Sequence, residues 1–217
     1  MISTKPSSQA RPFTQRLYDR WKYQILGECE PMRPRIFGIG LAKTATTSLC
    51  DALTVLGFRS LHYPTIMQIA DGQLKFDWPW YLNSYDAMAD VPAAFFFREL
   101  DTQFPNSKFI LTTRDRTKWL ASCRKHFTPE KFEAAVKVPK YAEANLLNLT
   151  LYGCSSFDLE KFEATYDNHE AEVRQYFQGK DNFLVMDICS GEGWEKLCSF
   201  LERPVPDVEF PISNVRK

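Results

Sequence analysis

Lys43 heads a run of hydroxyl side chains, Thr44, Thr46, Thr47 and Ser48, broken only by Ala45. Gly40 lies just before it, and the apolar run Ile36-Phe37-Gly38-Ile39 before that. A buried strand, a glycine-bearing loop, a lysine and a helix opening in hydroxyls form a cradle for an anion. The first N–H groups of a helix lack intrahelical partners and carry a positive partial charge. Lys43 adds a full charge, and the hydroxyls add donors that suit phosphate oxygens. A helix cap would explain one hydroxyl, but not four and a lysine. The pattern is not that of a nucleoside triphosphatase loop, which needs Gly-x-x-x-x-Gly-Lys-Ser/Thr. Aligned on Lys43-Thr44, that motif wants glycine at 37 and 42, where this chain has Phe37 and Ala42. ATP or GTP hydrolysis is thereby demoted, and no metal site is expected.

A second candidate anion site follows Lys108-Phe109-Ile110-Leu111-Thr112-Thr113, the clearest strand in the chain. Arg114 ends it, and Ser122 stands in the helix that follows. A guanidinium binds phosphate oxygens through two parallel N–H donors. Between residues 108 and 131 seven basic residues face only Asp115 and Glu130, a local field that attracts a polyanion. Asp90 closes a third strand, in Met88-Ala89-Asp90-Val91-Pro92. A carboxylate there can act as a general base if burial raises its pKa, or it can cap the next helix. His62 also follows a short strand and is a candidate to line the acceptor pocket, with a core or surface role the plainer reading. His126 sits at a basic helix end, and His169 in a polar helix reads as solvated. Trp119 reads as core. Phe95, Phe96 and Phe97, with Trp78, Trp80 and Tyr81, are candidates for an apolar acceptor pocket.

The elements that must hold these groups alternate. Strands are expected at 35–39, 58–61, 85–89, 108–113 and 183–187. Helices are expected over 46–56 (Gly57 as its stop), 93–104, after Arg114, through most of 129–178, and over 193–201. The tail from Pro204 reads as extended. Apolar strands alternating with helices predict an α/β fold with three layers, a central parallel sheet flanked by helices. Ligands in such folds bind beyond the carboxyl ends of the strands. Phe13, Leu17, Trp21 and Ile25 recur every four residues, which marks residues 1–33 as an N-terminal helical extension ahead of a single domain over 34–217.

Composition narrows the class. Of 217 residues 44% are hydrophobic and 25% charged, and 27 basic residues cancel 27 acidic ones. No global field recruits nucleic acid or a membrane surface, and no apolar run approaches the ~20 residues of a transmembrane helix. No leader-type segment opens the chain. The closest cysteines, Cys189 and Cys198, are nine apart, so no CxxC motif exists and free thiols in a cytoplasmic protein are expected.

The string KTATTSL at 43–49 resembles the 5′-phosphosulfate loop of the P-loop sulfotransferases, and Arg114 with Ser122 resembles that family's 3′-phosphate pair. DVP at 90–92, FPNSKFILTTRD at 104–115, GEGWEKLCSFL at 191–201 and FPISN at 210–214 are similar to the branch that carries an Asp-x-Pro aspartate. The resemblance runs from Pro34 to about Asn214. It implies a three-layer P-loop fold and transfer of a sulfuryl group from 3′-phosphoadenosine-5′-phosphosulfate (PAPS) to a hydroxyl or amine of a small acceptor. Asp90 would be the base, and Lys43 would stabilise the leaving phosphate. Gly40, Lys43, Thr44, Ala45, Thr46, Thr47, Ser48, Arg114 and Ser122 would bind the nucleotide. Ala45 replaces the family's glycine; if that position needs a positive φ, alanine costs ~1 kcal/mol. Ser48 replaces the tryptophan that stacks on adenine in the cytosolic branch. Asn214 is implied near the nucleotide, and the loops at about 62–84 and 127–157 would set the acceptor. Two other readings stay open at this point: a P-loop kinase or NTPase-like protein using ATP and magnesium, and a non-catalytic nucleotide-binding protein.

Overall fold

The structure is a computed structural model that describes residues 33–213. The extension expected over 1–33, Arg33 aside, lies outside the described residues, as do Asn214, Arg216 and Lys217. Among the described residues no helix is long and apolar enough to cross a membrane.

Five parallel strands make the central sheet: β1 (Ile36–Gly38), β2 (Ser60–His62), β5 (Ala87–Ala89), β6 (Lys108–Thr112) and β7 (Phe183–Met186). Their order is β2-β5-β1-β6-β7. Alternate side chains leave opposite faces. Ile36, Ala87, Ala89, Ile110 and Met186 point to one face, where they pack against Leu49 and Leu53 of α1 (Thr46–Val55) and Leu197 and Leu201 of α8 (Trp194–Leu201). Phe37 and Phe109 point to the other. They meet Phe104 and Phe177, which flank α3 (Phe97–Gln103) and α7 (Leu159–Tyr176). These are the three layers. A smaller cluster of Trp119 and Cys123 from α4 (Arg116–His126), Tyr152 from α6 (Ala142–Tyr152), and Phe162 and Tyr166 from α7 closes over Leu41.

Several expectations change in detail. The helix expected over 93–104 is two, α2 (Val91–Phe95) and α3, broken at Phe96. Three consecutive phenylalanines cannot share one helical face. Phe96 turns to Phe76 while Phe97 turns to His169 and Tyr176. Within 62–84 the chain forms an antiparallel hairpin, β3 (Met67–Ala70) and β4 (Gln73–Phe76), joined by Asp71-Gly72, both at positive φ. An Asp-Gly pair is the two-residue turn such hairpins favour. The stretch 127–157 holds α5 (Pro129–Val136) and α6.

The strand order sets where a crevice opens. From β1 the chain crosses to β2 and β5 on one side, whereas β6 and β7 build outward on the other. The connections leaving β1 and β6 therefore diverge and open a crevice at their carboxyl ends, the switch point where α/β sheets bind ligands. The loop after β1 carries Lys43 and the residue two beyond β6 is Arg114.

Candidate functional site

The loop after β1 is held from below. Gly40 sits so close to β6 that a Cβ there would lie 2.0 Å from Thr112 Oγ1 and 2.5 Å from its carbonyl oxygen. Thr44 Oγ1 donates to the Leu41 carbonyl (2.7 Å) and stands 2.7 Å from Thr112 Oγ1. Trp119, fully buried as expected, donates its indole N–H to the Ala42 carbonyl at 2.9 Å. The loop then takes two left-handed residues, Lys43 (φ 73°) and Ala45 (φ 70°). The second is the alanine that replaces glycine, so its strain of ~1 kcal/mol is present. Ala45 precedes α1, and no side chain caps that helix. The lysine beside this helix start makes no ion pair among the described residues.

The hydroxyls divide into two sets. Thr44 is spent inside the loop. Ser48, buried, accepts from the Ser213 backbone N–H at 2.9 Å, and Ser213 Oγ also donates to Asp51. Thr46 and Thr47 instead face the end of β2, with their Oγ1 atoms 3.0 Å and 3.2 Å from His62 Nε2.

Arg114 reaches the same loop. Its Nη1 donates to the Lys43 carbonyl at 3.1 Å, so the guanidinium lies against the loop that carries Lys43. Tyr166 pins the Arg114 backbone, accepting from its N–H at 3.3 Å and donating to its carbonyl at 2.5 Å. The neighbouring carboxylate, Asp115, is occupied in capping α4 through the Lys118 N–H at 2.9 Å. Among the described residues Arg114 makes no ion pair, and its buried Nε has no partner. Ser122, half-buried, lies one residue before the buried Cys123 on α4.

Asp90 stands at the end of β5, beside β1. Its φ of 100° with ψ of −179° is a backbone state nearly reserved for glycine. Such strain persists where the surroundings over-determine it. Its side chain makes no cap on α2, so the capping role falls away. Its Oδ2 lies 3.2 Å from His62 Nε2, and its buried Oδ1 has no partner. Burial holds the Asp90 carboxyl above the usual range, against the opposing pull of His62, Thr46 and Lys43. Burial likewise pushes the thiols of Cys50 and Cys123 up to about 12; both stay protonated and take no part.

His62 was the group that sequence reasoning placed least well. The register explains its position: His62 pairs with Ala89, one residue before Asp90. A histidine closing one edge strand beside an aspartate closing its neighbour was the available signal. His169, expected in solvent, is buried, with Nε2 2.8 Å from the Ile39 carbonyl oxygen. The aromatic candidates for a pocket also change place. Trp78 packs on Phe104 and Phe37 and lies under the Arg35 guanidinium, near the amino end of β1, while Phe97 packs against α7. Among the described residues no group of three or more histidines, cysteines and acidic residues is placed to hold a metal.

Residues 35–217 match the sulfotransferase domain family. A relative from Aspergillus versicolor, "Ava biosynthesis cluster protein M", is 29% identical over 82% of this chain and 79% of its own length.

Proposed function

Because the chain belongs to the sulfotransferase domain family, we propose that it is a cytoplasmic PAPS-dependent sulfotransferase acting on a hydroxyl or amine of a small acceptor. One observation carries the reading: the Arg114 guanidinium bonds the backbone of Lys43 at the β1/β6 crevice, neither side chain is in an ion pair among the described residues, and a buried Asp90 lies within the field of Lys43. The residues fit a nucleotide with phosphates at both ends. The uncapped α1 N-terminus and Lys43 suit the 5′-phosphosulfate, and the unpartnered Arg114 Nε and half-buried Ser122 suit the 3′-phosphate. Gly40, Thr44, Ala45 and Ser48 shape the loop backbone, while Thr46 and Thr47 offer their hydroxyls.

Bound PAPS supplies an activated sulfuryl group on a phosphate leaving group. Asp90 takes the acceptor proton; its raised pKa brings it nearer the working pH of a general base. Lys43 and the first N–H groups of α1 neutralise charge developing on the leaving oxygen. A sulfuryl group carries less charge than a phosphoryl group, so these groups suffice without a metal. The free thiols of Cys50, Cys123 and Cys198 agree with a cytoplasmic setting. The relative's association with a biosynthesis cluster agrees with a small acceptor.

The test is a thermal shift. At a hundred times its Kd, adenosine 3′,5′-bisphosphate should stabilise the protein by about 2.7 kcal/mol without added metal, and labelled sulfate should pass from PAPS to members of an alcohol, phenol and amine panel. Stabilisation by ATP with magnesium alone would overturn the reading.

A further inference from the structure

Four polar atoms converge outside the anion contacts proper. His62 Nε2 lies within 3.2 Å of Asp90 Oδ2, 3.0 Å of Thr46 Oγ1 and 3.2 Å of Thr47 Oγ1. The three oxygens belong to the base and to the loop that faces the donor's anion. We propose that binding of the anionic donor places a proton on His62 Nε2 and thereby leaves Asp90 as the carboxylate, so that the base is armed only when the donor is present. The inference rests on the donor reading above.

The reason lies in hydrogen counting. A hydroxyl has one hydrogen to give. With no anion on the loop, Thr46 or Thr47 can donate that hydrogen to a bare Nε2, and Asp90 keeps its own proton. Once the hydroxyls donate to phosphate or sulfate oxygens, they show His62 only lone pairs. A protonated Oδ2 is then the one donor to an Nε2 that also faces two sets of hydroxyl lone pairs, and moving that hydrogen onto Nε2 turns all three contacts into N–H···O attractions. The proton moves from Asp90 Oδ2 to His62 Nε2, Nδ1–H is retained, and the products are an imidazolium and a carboxylate 3.2 Å apart. No proton enters or leaves the pair. The unpartnered Oδ1 is then a free acceptor for the substrate's proton.

Among the described residues the Val91 N–H bonds Asp90, and the other groups acting on the pair are few. Lys43 acts on Asp90 from the loop, Cys50 from α1, Tyr63 from the end of β2 and Tyr152 from α6, with Glu143 acting on Tyr63. Both thiol and phenols are held protonated by burial. Lys43 is the cation that the donor's charge engages. Proton position in the pair is therefore left to the hydroxyls of Thr46 and Thr47. His62 is a positioning residue here, acting through Asp90.

The experiment is nitrogen NMR of the three imidazoles in the full chain, uniformly labelled, titrated with adenosine 3′,5′-bisphosphate at pH 7.5. His62 is identified by the signal missing from His62→Gln, a variant needed only for assignment. The expected result is that His62 Nε2 moves from the unprotonated to the protonated nitrogen range on saturation, while buried His169 stays put. Amide shifts through Lys43–Ser48 with an unmoved His62 Nε2 would sink this inference and leave the donor reading standing. No amide shifts at all would sink the donor reading, and this inference with it.

Discussion

The two ends of the sheet treat positive charge in opposite ways. At the amino end, Arg35 is buried between the Trp78 and Phe104 rings, with its terminal nitrogens donating to the Tyr85 carbonyl and Asn83 Oδ1. Burial, with Arg33 close by, lowers its pKa to about 10. Arg33 itself pairs with Asp86 at 2.6 Å, and Lys108 with the Phe200 carbonyl at 2.5 Å. At the carboxyl end, Arg114 has one carbonyl contact and Lys43 no ion pair among the described residues. Both guanidiniums leave a buried Nε unpartnered, so an orphaned nitrogen alone does not distinguish them. The terminal nitrogens do. Where they are satisfied by the protein, an arginine is part of the architecture; beside the strained loop, the Arg114 guanidinium has only the Lys43 carbonyl.

The sharpest way to break this contrast is at the reaction itself. Asp90→Asn should cut turnover by ~10²–10⁴, and Lys43→Ala by ~10²–10³, with PAPS turnover as the measurement; near-normal rates in either would remove that residue from the chemistry. Next come the two arginines. Arg114→Ala should weaken adenosine 3′,5′-bisphosphate binding ~10–100-fold, the worth of a charged hydrogen bond, and leave the melting temperature of the free protein nearly unchanged. Arg35→Ala should do the reverse, destabilising by ~1–3 kcal/mol through the stranded carbonyl and lost ring packing while nucleotide affinity at 25 °C holds. If calorimetry and melting report the same pattern for both variants, the two ends are not different in kind.

Smaller effects sharpen the picture further. A carboxyl whose folded pKa is raised binds its proton more tightly folded than unfolded, so its contribution to stability falls as pH rises through the window between the two values. Asp90→Asn should therefore melt higher than the parent at pH 8. The gap should close as pH drops below the ordinary carboxylate range, in denaturation scans across pH. A gap independent of pH would mean that burial of the charge is not its origin. Ala45→Gly should relieve the left-handed strain, adding ~1 kcal/mol and about 2–4 °C in melting temperature.

Much of this site could be read from the chain because its parts are local. Lys43 through Ser48 are contiguous, and Arg114 ends a strand whose apolar run is unmistakable. The parallel sheet followed from strands too apolar to face water. What escaped was set by pairing between distant segments. His62 gains its meaning only from lying in register with Ala89. Ser48 sits in the phosphate-type string, and nothing local shows that its hydroxyl also accepts from the Ser213 N–H. The hairpin at Met67–Phe76 had its Asp-Gly turn in plain sight, but the runs beside it are short and exposed. His169 looked solvated because its helix is polar on most sides, and burial of one position depends on what that helix covers.

The contact between Ser48 and Ser213 joins residues 165 apart in the chain. During synthesis the first turn of α1 leaves the ribosome long before its partner, which follows 165 residues later. The nascent protein can therefore stack its sheet, whose last strand closes at Met186, before Ser213 is there to fix the first turn of α1.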